Sequence, residues 1–292
     1  MKQISGHIMA LTCVLVWGST FVVSKSLMEF LQPVQLMLLR FTLAYLALWA
    51  IKPQWYFKWK EEWRFILMAI FANSLYCLAE NTALTLTMST NVSIIVSASP
   101  LVTVVLMALL YKQFPTKSQV AGYLIAFTGV ILVVLNGALS MQFKPAGDCL
   151  AFVAAVSWAI YGLLLNRWSS EYDSVLITRK LMFYGLISVL PAVLFGQHAL
   201  PLDALCSTTS ILKLLYLGLI GSCLCYLFWS RSVKIIGVVK ANLYIYMVPI
   251  VTLIVSAIFL QEKITALGLI GIVMVISGMM FSTTSSTRDT TS

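Results

Sequence analysis

The sequence predicts an all-α membrane protein, with ten transmembrane helices arranged as two inverted five-helix repeats around a central cavity. Three observations predict it. Of 292 residues, 60% are hydrophobic and 10% charged, and the mean hydropathy is +0.95, so the chain cannot assemble a water-soluble surface and must be solvated by lipid. Apolar stretches of spanning length recur ten times between short polar breaks. The same residues also recur in order: Gly6, Ala10 and Trp17 return as Gly147, Ala151 and Trp158, and Pro100, Thr103, Gly122 and Gly129 return as Pro249, Thr252, Gly271 and Gly278.

A span needs roughly 20 mostly apolar residues to cross a hydrocarbon core about 30 Å thick. The stretches that qualify run over 7–24, 34–51, 65–85, 91–111, 119–138, 149–166, 177–195, 213–230, 240–260 and 265–282. Lys2 ahead of the first gives it the look of a signal peptide. Cleavage would remove one copy of the repeated tryptophan, so it reads as an uncleaved first span. The longest breaks, near 52–64, 167–176 and 196–212, are too short for a soluble domain, and function must reside in the membrane.

A net charge of +9 suggests a nucleic-acid partner, but the basic residues form no patch in sequence and sort by side of the membrane instead. Fourteen lie in breaks on the side holding both termini, among them Lys52, Arg64, Arg179, Lys180 and Lys240, against Lys25, Lys144, Lys213 and Lys263 on the other. That bias predicts cytoplasmic termini, and the sorting by side speaks against a nucleic-acid role; the expected setting is an integral plasma (inner) membrane, of bacterial type by the family resemblance given below. The six cysteines lie mostly in apolar spans, where a thiol packs as a small hydrophobe, and no disulfide framework is expected.

Five spans per half force the second copy to enter from the opposite side, which makes the repeats antiparallel. The halves divide at 1–140 and 141–281, leaving 282–292 as a Ser/Thr-rich tail expected to be disordered. The offset is 141 for Trp17 and Trp158 and 149 for Pro100 and Pro249; from Pro100 to Gly129 against Pro249 to Gly278, seven of thirty positions match. Each proline stands nine residues past a polar entrance, Asn91 or Lys240. That is about 13 Å, near the midplane, so each is expected to free a carbonyl, bend its helix and act as a hinge beside the cavity. Gly122 with Gly129, Gly218 with Gly221, and Gly268 with Gly271 read as close helix contacts.

Val16-Trp17-Gly18-Ser19-Thr20-Phe21 in the first span, Arg40 in the second, Pro100 and Pro249, Glu262 after the ninth span, and Gly271 with Gly278 in the tenth carry a resemblance over residues 6–281. The chain resembles the drug/metabolite transporter superfamily, and within it the EamA family of ten-span exporters. That resemblance implies a basket of helices with spans five and ten at the periphery, and export of small metabolites or toxic compounds by exchange with protons or another solute. Gln113 stands where the repeat has Glu262, which argues against an essential acid in both copies.

An ionisable group inside a bilayer costs roughly 2.5–3.5 kcal/mol on insertion scales, so each one retained is a functional candidate. Glu80 lies about sixteen residues into the third span, with Asn73, Tyr76 and Cys77 expected on its helical face. Facing a cavity, it would take up and release a proton as a coupling group; near the outer end it would instead meet water or Lys25. Arg40 would bind a substrate carboxylate or pair with Glu80.

Trp17 and Trp158 stand near the midplane, where an indole gains nothing from the interface, whereas Trp55, Tyr56, Phe57, Trp59 and Trp63 surround a basic break as an interfacial belt. Tyr161 follows Trp158 on one helical face, Tyr226 and Trp229 form another such pair, and Asn242, Tyr244 and Tyr246 precede the second proline. These would line an aromatic wall for flat, amphipathic or cationic molecules, each contact worth about 0.5–2 kcal/mol, or else pack helices. Around the first proline, Ser97 and Ser99 are smaller and hydroxylic, suited to a substrate or to their own helix carbonyls. The sequon Asn91-Val92-Ser93 opens a span and is discounted as a glycosylation site.

The nearest phosphate-loop match, Gly18 through Lys25-Ser26, lacks the glycine before lysine, which excludes an ATP-driven pump. His7 and His198 are the only histidines and no HExxH is present, so neither a metal nor another cofactor is implied and a membrane-embedded enzyme has no visible centre. A channel would need charge rings or carbonyl filters. The reading is a secondary transporter of amino acids or amphipathic and aromatic metabolites, with a small-molecule substrate and the lipid bilayer as its partners. A nucleotide-sugar-type exchanger is the alternative, which should carry several cavity cations where only Arg40 stands clearly inside a span.

Overall fold

A computed structural model describes residues 2–87, 89–136, 144–194, 201–259 and 264–284. Ten helical spans run through them. These are α1 (Lys2–Leu27), α2 (Pro33–Ile51), α3 (Trp59–Leu86), α4 (Ser89–Val96 then Ser99–Tyr111), α5 (Lys117–Leu135), α6 (Pro145–Trp168) and α7 (Ser174–Leu194). After a one-turn helix at Leu202–Leu205 come α8 (Thr208–Ile236), α9 (Val238–Leu243, Tyr244–Met247 and Val248–Phe259) and α10 (Ala266–Thr284). Eight of the ten are long and apolar enough to span by themselves, α10 has a shorter apolar stretch, Ala266–Ser282, and α1 is 26 residues long.

Polar and turn-forming residues set the helix limits. Pro33 and Pro145 open α2 and α6 at a position whose N–H has no intrahelical partner. Thr116 caps α5 reciprocally, accepting from Gln119 N at 3.2 Å while its own N–H donates to Gln119 Oε1 at 2.9 Å. Gly237, at φ +78°, ends α8 and starts α9, and Val238 N is caught by Asn166 Oδ1 at 3.1 Å.

Packing follows the inverted repeat. α1 lies on α8 and α9, while its counterpart α6 lies on α3 and α4; α2 meets α7, and α5 meets α10, across the pseudo-axis. The last pair is as close as two helices come. A Cβ on Gly129 would stand 2.7 Å from Gly271 O, one on Gly271 would stand 2.7 Å from Gly129 O, and Gly122 and Gly278 face each other in the same way. Small residues let the two backbones touch where a lipid-solvated interface has only packing to hold it.

The helices of the two prolines break directly ahead of them. α4 turns at Ser97 and Ala98, and Pro100 is the second residue of the segment that follows. In α9 a single 3-10 turn, Tyr244–Met247, precedes Val248, and Pro249 again comes second. The missing N–H thus falls in a first turn, so each proline starts a segment instead of bending the middle of one.

Two distortions occur at neither proline, the one in α3 without a glycine and the one in α8 around Gly218 and Gly221. α3 widens into a π-helix over Ile70–Leu75 and α8 over Tyr216–Leu224. Leu75 and Leu224, where they end, are 149 positions apart, the offset of Pro100 and Pro249.

Trp55, Phe57, Trp59 and Trp63 are exposed, as an interfacial belt requires. All six cysteines are free. α10 continues through the first three residues of the expected tail; 285–292, Glu262 and the side chains of Lys25 and Asn91 lie outside the described residues.

Candidate substrate site

The tryptophans of the two repeats meet in the middle of the bundle. Trp17 of α1 and Trp158 of α6 pack edge to face, ring centroids 5.4 Å apart and planes at 88°. Trp229 of α8 lies against both, at 5.2 and 5.8 Å, and Tyr226 lies at 6.0 and 6.3 Å. Tyr76 of α3 and Tyr161 of α6 complete the ring around Trp158, at 5.2 and 5.3 Å. Tilted and edge contacts set the positive rim of one ring on the negative face of the next, worth about 0.5–1.5 kcal/mol for each pair.

The π-helical turns direct this cluster. A widened turn leaves carbonyls without their usual partner, and neighbouring side chains attach there. Trp17 Nε1 donates to Gly221 O at 3.1 Å. On the other repeat, Ser157 Oγ donates to Phe71 O at 2.8 Å and Tyr226 OH to Ala72 O at 3.5 Å. Arg40 Nε donates to Ser222 Oγ at 3.2 Å, while Asn73 Nδ2 donates to Leu181 O at 2.8 Å. The two contacts join equivalent positions with the donor on opposite helices, because Asn73 and Ser222 differ by 149 and Arg40 and Leu181 by 141.

Glu80 sits beside this cluster, accepting from Tyr76 OH at 2.8 Å. Asn73 does not share its face. The π-helical stretch between them spoils the 3.6-residue register, and Asn73 turns to α7 instead. Arg40 reaches the π-helical stretch of α8, and among the described residues no ion pair joins it to Glu80.

Sequence-expected residues therefore divide in two. Trp17, Trp158, Tyr161, Tyr226, Trp229, Tyr76 and Glu80 come together, with Arg40 alongside. Ser97 is buried at the break of α4. Asn242 donates to Thr103 Oγ1 at 2.6 Å, Tyr244 OH meets His7 Nδ1 at 3.0 Å, and Tyr246 packs on Tyr123 in a separate cluster with α5 and α10.

Three buried groups at the aromatic cluster, Trp158 Nε1, Trp229 Nε1 and Tyr161 OH, have no hydrogen-bond partner among the described residues. Leaving such a donor unpaired costs about 1–3 kcal/mol, which a ligand acceptor would relieve. Among the described residues no group of three His, Cys, Asp or Glu is placed to hold a metal ion.

Ser157, Gly221 and Ser222 carry the cluster's attachments and were not legible as site residues, because their roles depend on the π-helical turns. A polar network at the end of the bundle that holds both termini was equally hidden. Lys180 Nζ lies 2.8 Å from Glu62 Oε1 with both side chains largely buried, and Tyr184 OH adds a second donor to Glu62. Arg179 donates to the carbonyls of Lys52 and Gln54 and stacks on Trp49 at 4.4 Å. These contacts tie α3 and α7 to the connection after α2.

Residues 4–135 and 145–284 each match the EamA-like transporter family. The chain is 28% identical over 290 residues to an uncharacterized transporter of Archaeoglobus fulgidus, covering 95% of this chain and 96% of that protein. It is 24% identical over 280 residues to a probable amino-acid metabolite efflux pump of Escherichia coli K12, covering 93% and 92%. A solved crystal structure shares the fold at a TM-score of 0.80 and 19% identity, covering 96% of this chain and 98% of that one. The relatives are named as transporters or efflux pumps and not as enzymes. Two matched repeats, eight helices apolar enough to span and relatives aligned over nearly their whole length make this chain an integral membrane protein of the EamA-like transporter family, within the drug/metabolite transporter superfamily.

Proposed function

We propose that the chain exports small organic molecules, amino acids or amphipathic aromatic compounds, across the bacterial inner membrane by alternating access, with both termini in the cytoplasm. The aromatic cluster at the repeat interface carries this reading. Trp17, Trp158, Tyr226 and Trp229 bring ring faces from both halves to one point, and three donors beside them, unpaired among the described residues, suit a ligand acceptor. Glu80, hydrogen-bonded to Tyr76, is the coupling carboxylate. A protonatable group in contact with the substrate wall links proton release to substrate release, because the charge of one alters the affinity for the other. The similarity to a probable amino-acid metabolite efflux pump supports the substrate class.

Counterflow in proteoliposomes with labelled amino acids and aromatic cations, with and without an imposed pH gradient, tests it. Gradient-driven accumulation that Glu80→Gln abolishes supports the whole reading. Exchange indifferent to the gradient removes the proton role, and silence across the panel with folded protein removes the substrate class.

A further inference from the structure

A cavity of about 380 Å³ opens at the end of the bundle that holds both termini, well apart from the aromatic cluster. Its wall comes from both repeats: Gln113, Gln119 and Tyr123 around the α4–α5 connection, and Asn166, Lys240 and Ser282 from α6, α9 and α10. Val104, Met107, Ile236 and Leu243 supply an apolar part of its wall.

The polar wall is biased towards donors. Asn166 Oδ1 is occupied by Val238 N and Gln119 Oε1 by Thr116 N, so what each amide has left to offer is its NH2 group. Tyr123 OH already donates to Val239 O. Lys240 adds an ammonium, and no aspartate or glutamate lines the cavity among the described residues. Two amides left with their NH2 groups and one cation, with no carboxylate among the described lining residues, favour an oxyanion, Gln113 adds an amide that can turn either way, and the apolar part of the wall leaves room for an organic body.

We propose that this cavity is a binding site for a phosphate monoester or diester group on a small organic body, held by Lys240, Asn166 and Gln119. It goes beyond the transport reading, since none of these residues belongs to the aromatic cluster. Because the ligand touches both repeats, its occupancy ties the α4–α5 connection to the start of α9. The same headgroup chemistry occurs in soluble glycerol phosphates and in anionic phospholipids.

The test is thermal unfolding of the full chain in nanodiscs, followed by tryptophan fluorescence. One arm titrates sn-glycerol 3-phosphate into phosphatidylcholine discs; the other replaces part of the phosphatidylcholine with phosphatidylglycerol. A rise in unfolding temperature in the first arm, weakened at least about tenfold in apparent affinity by Lys240→Gln and abolished by Gln119→Glu, assigns a soluble ligand. A rise confined to the second arm with the same sensitivity assigns a lipid headgroup. No rise in either arm, or a rise that both variants retain, overturns the site. Unliganded unfolding temperatures of the two variants within a few degrees of the parent keep a folding defect from imitating lost binding.

Discussion

Trp17 and Trp158 occupy equivalent places in the two repeats but are not equivalently bonded. Trp17 Nε1 donates to Gly221 O in the π-helical stretch of α8, at 3.1 Å. The counterpart of Gly221 in α3 is Ala72, whose carbonyl takes Tyr226 OH at 3.5 Å, while Trp158 Nε1 is buried with no partner among the described residues. The repeat that places Tyr226 in α8 has Cys77 in α3, which offers no hydroxyl for the mirror contact.

The asymmetry separates the two tryptophans experimentally. Trp17→Phe removes a made hydrogen bond and Trp158→Phe does not, while each leaves a similar void. Trp17→Phe should therefore cost at least about 1 kcal/mol more stability than Trp158→Phe, which also removes an unpaired donor, read by equilibrium unfolding in mixed micelles. Both should weaken substrate binding in counterflow, because both rings belong to the same wall. Equal destabilisation would show that the Gly221 contact contributes nothing.

The spans and their inversion were legible because lipid imposes a length and an apolar composition that a sequence cannot disguise. Trp17, Trp158, Tyr226 and Trp229 were legible because an indole or phenol far from the interface needs a reason. The attachment points were not. Ser157, Gly221 and Ser222 matter only because α3 and α8 widen into π-helices, and Ile70–Leu75 contains no residue type that signals one. The same distortion explains why Asn73, spaced correctly for Glu80 on an ideal helix, faces α7. The Glu62–Lys180 pair was hidden because its partners are 118 positions apart.

That pair is buried, with side-chain exposures of 4% for Glu62 and 11% for Lys180. Removing one partner leaves an uncompensated charge, so Lys180→Met should destabilise the protein by about 3–5 kcal/mol. The double variant Glu62→Leu with Lys180→Met should recover most of that loss, since apolar replacement of a buried pair is often close to neutral. A double variant as unstable as the single one would place the importance in Glu62 and its Tyr184 bond instead.

Gly271 and Gly129 make a stricter demand. A methyl on Gly271 would stand 2.7 Å from both Gly129 O and Val133 N, backbone atoms that cannot swing aside. Gly271→Ala should force α5 and α10 apart and cost about 1–3 kcal/mol, while leaving affinity in counterflow nearly unchanged because neither helix contributes a ring to the aromatic cluster. Loss of binding with unaltered stability would contradict a purely structural role for this pair.

The turn between α6 and α7 supplies a pH dependence whose sign follows from one contact. Burial opposes ionisation of the Asp173 carboxyl, but Lys52 Nζ lies 2.7 Å from it and the net effect holds the group below its ordinary value. A depressed carboxyl contributes stability that is complete above the unfolded value, about 3.9, and is lost as pH falls through the lower folded value. Both partners are more than a third exposed, so the contribution is screened and amounts to less than about 1 kcal/mol. Asp173→Asn should therefore lower the unfolding temperature slightly at pH 7, and the difference from the parent should close as the pH is taken below about 4. A gap that persists at acid pH would mean that Asp173 acts through its hydrogen bonds to the start of α7 and not through the charge of Lys52.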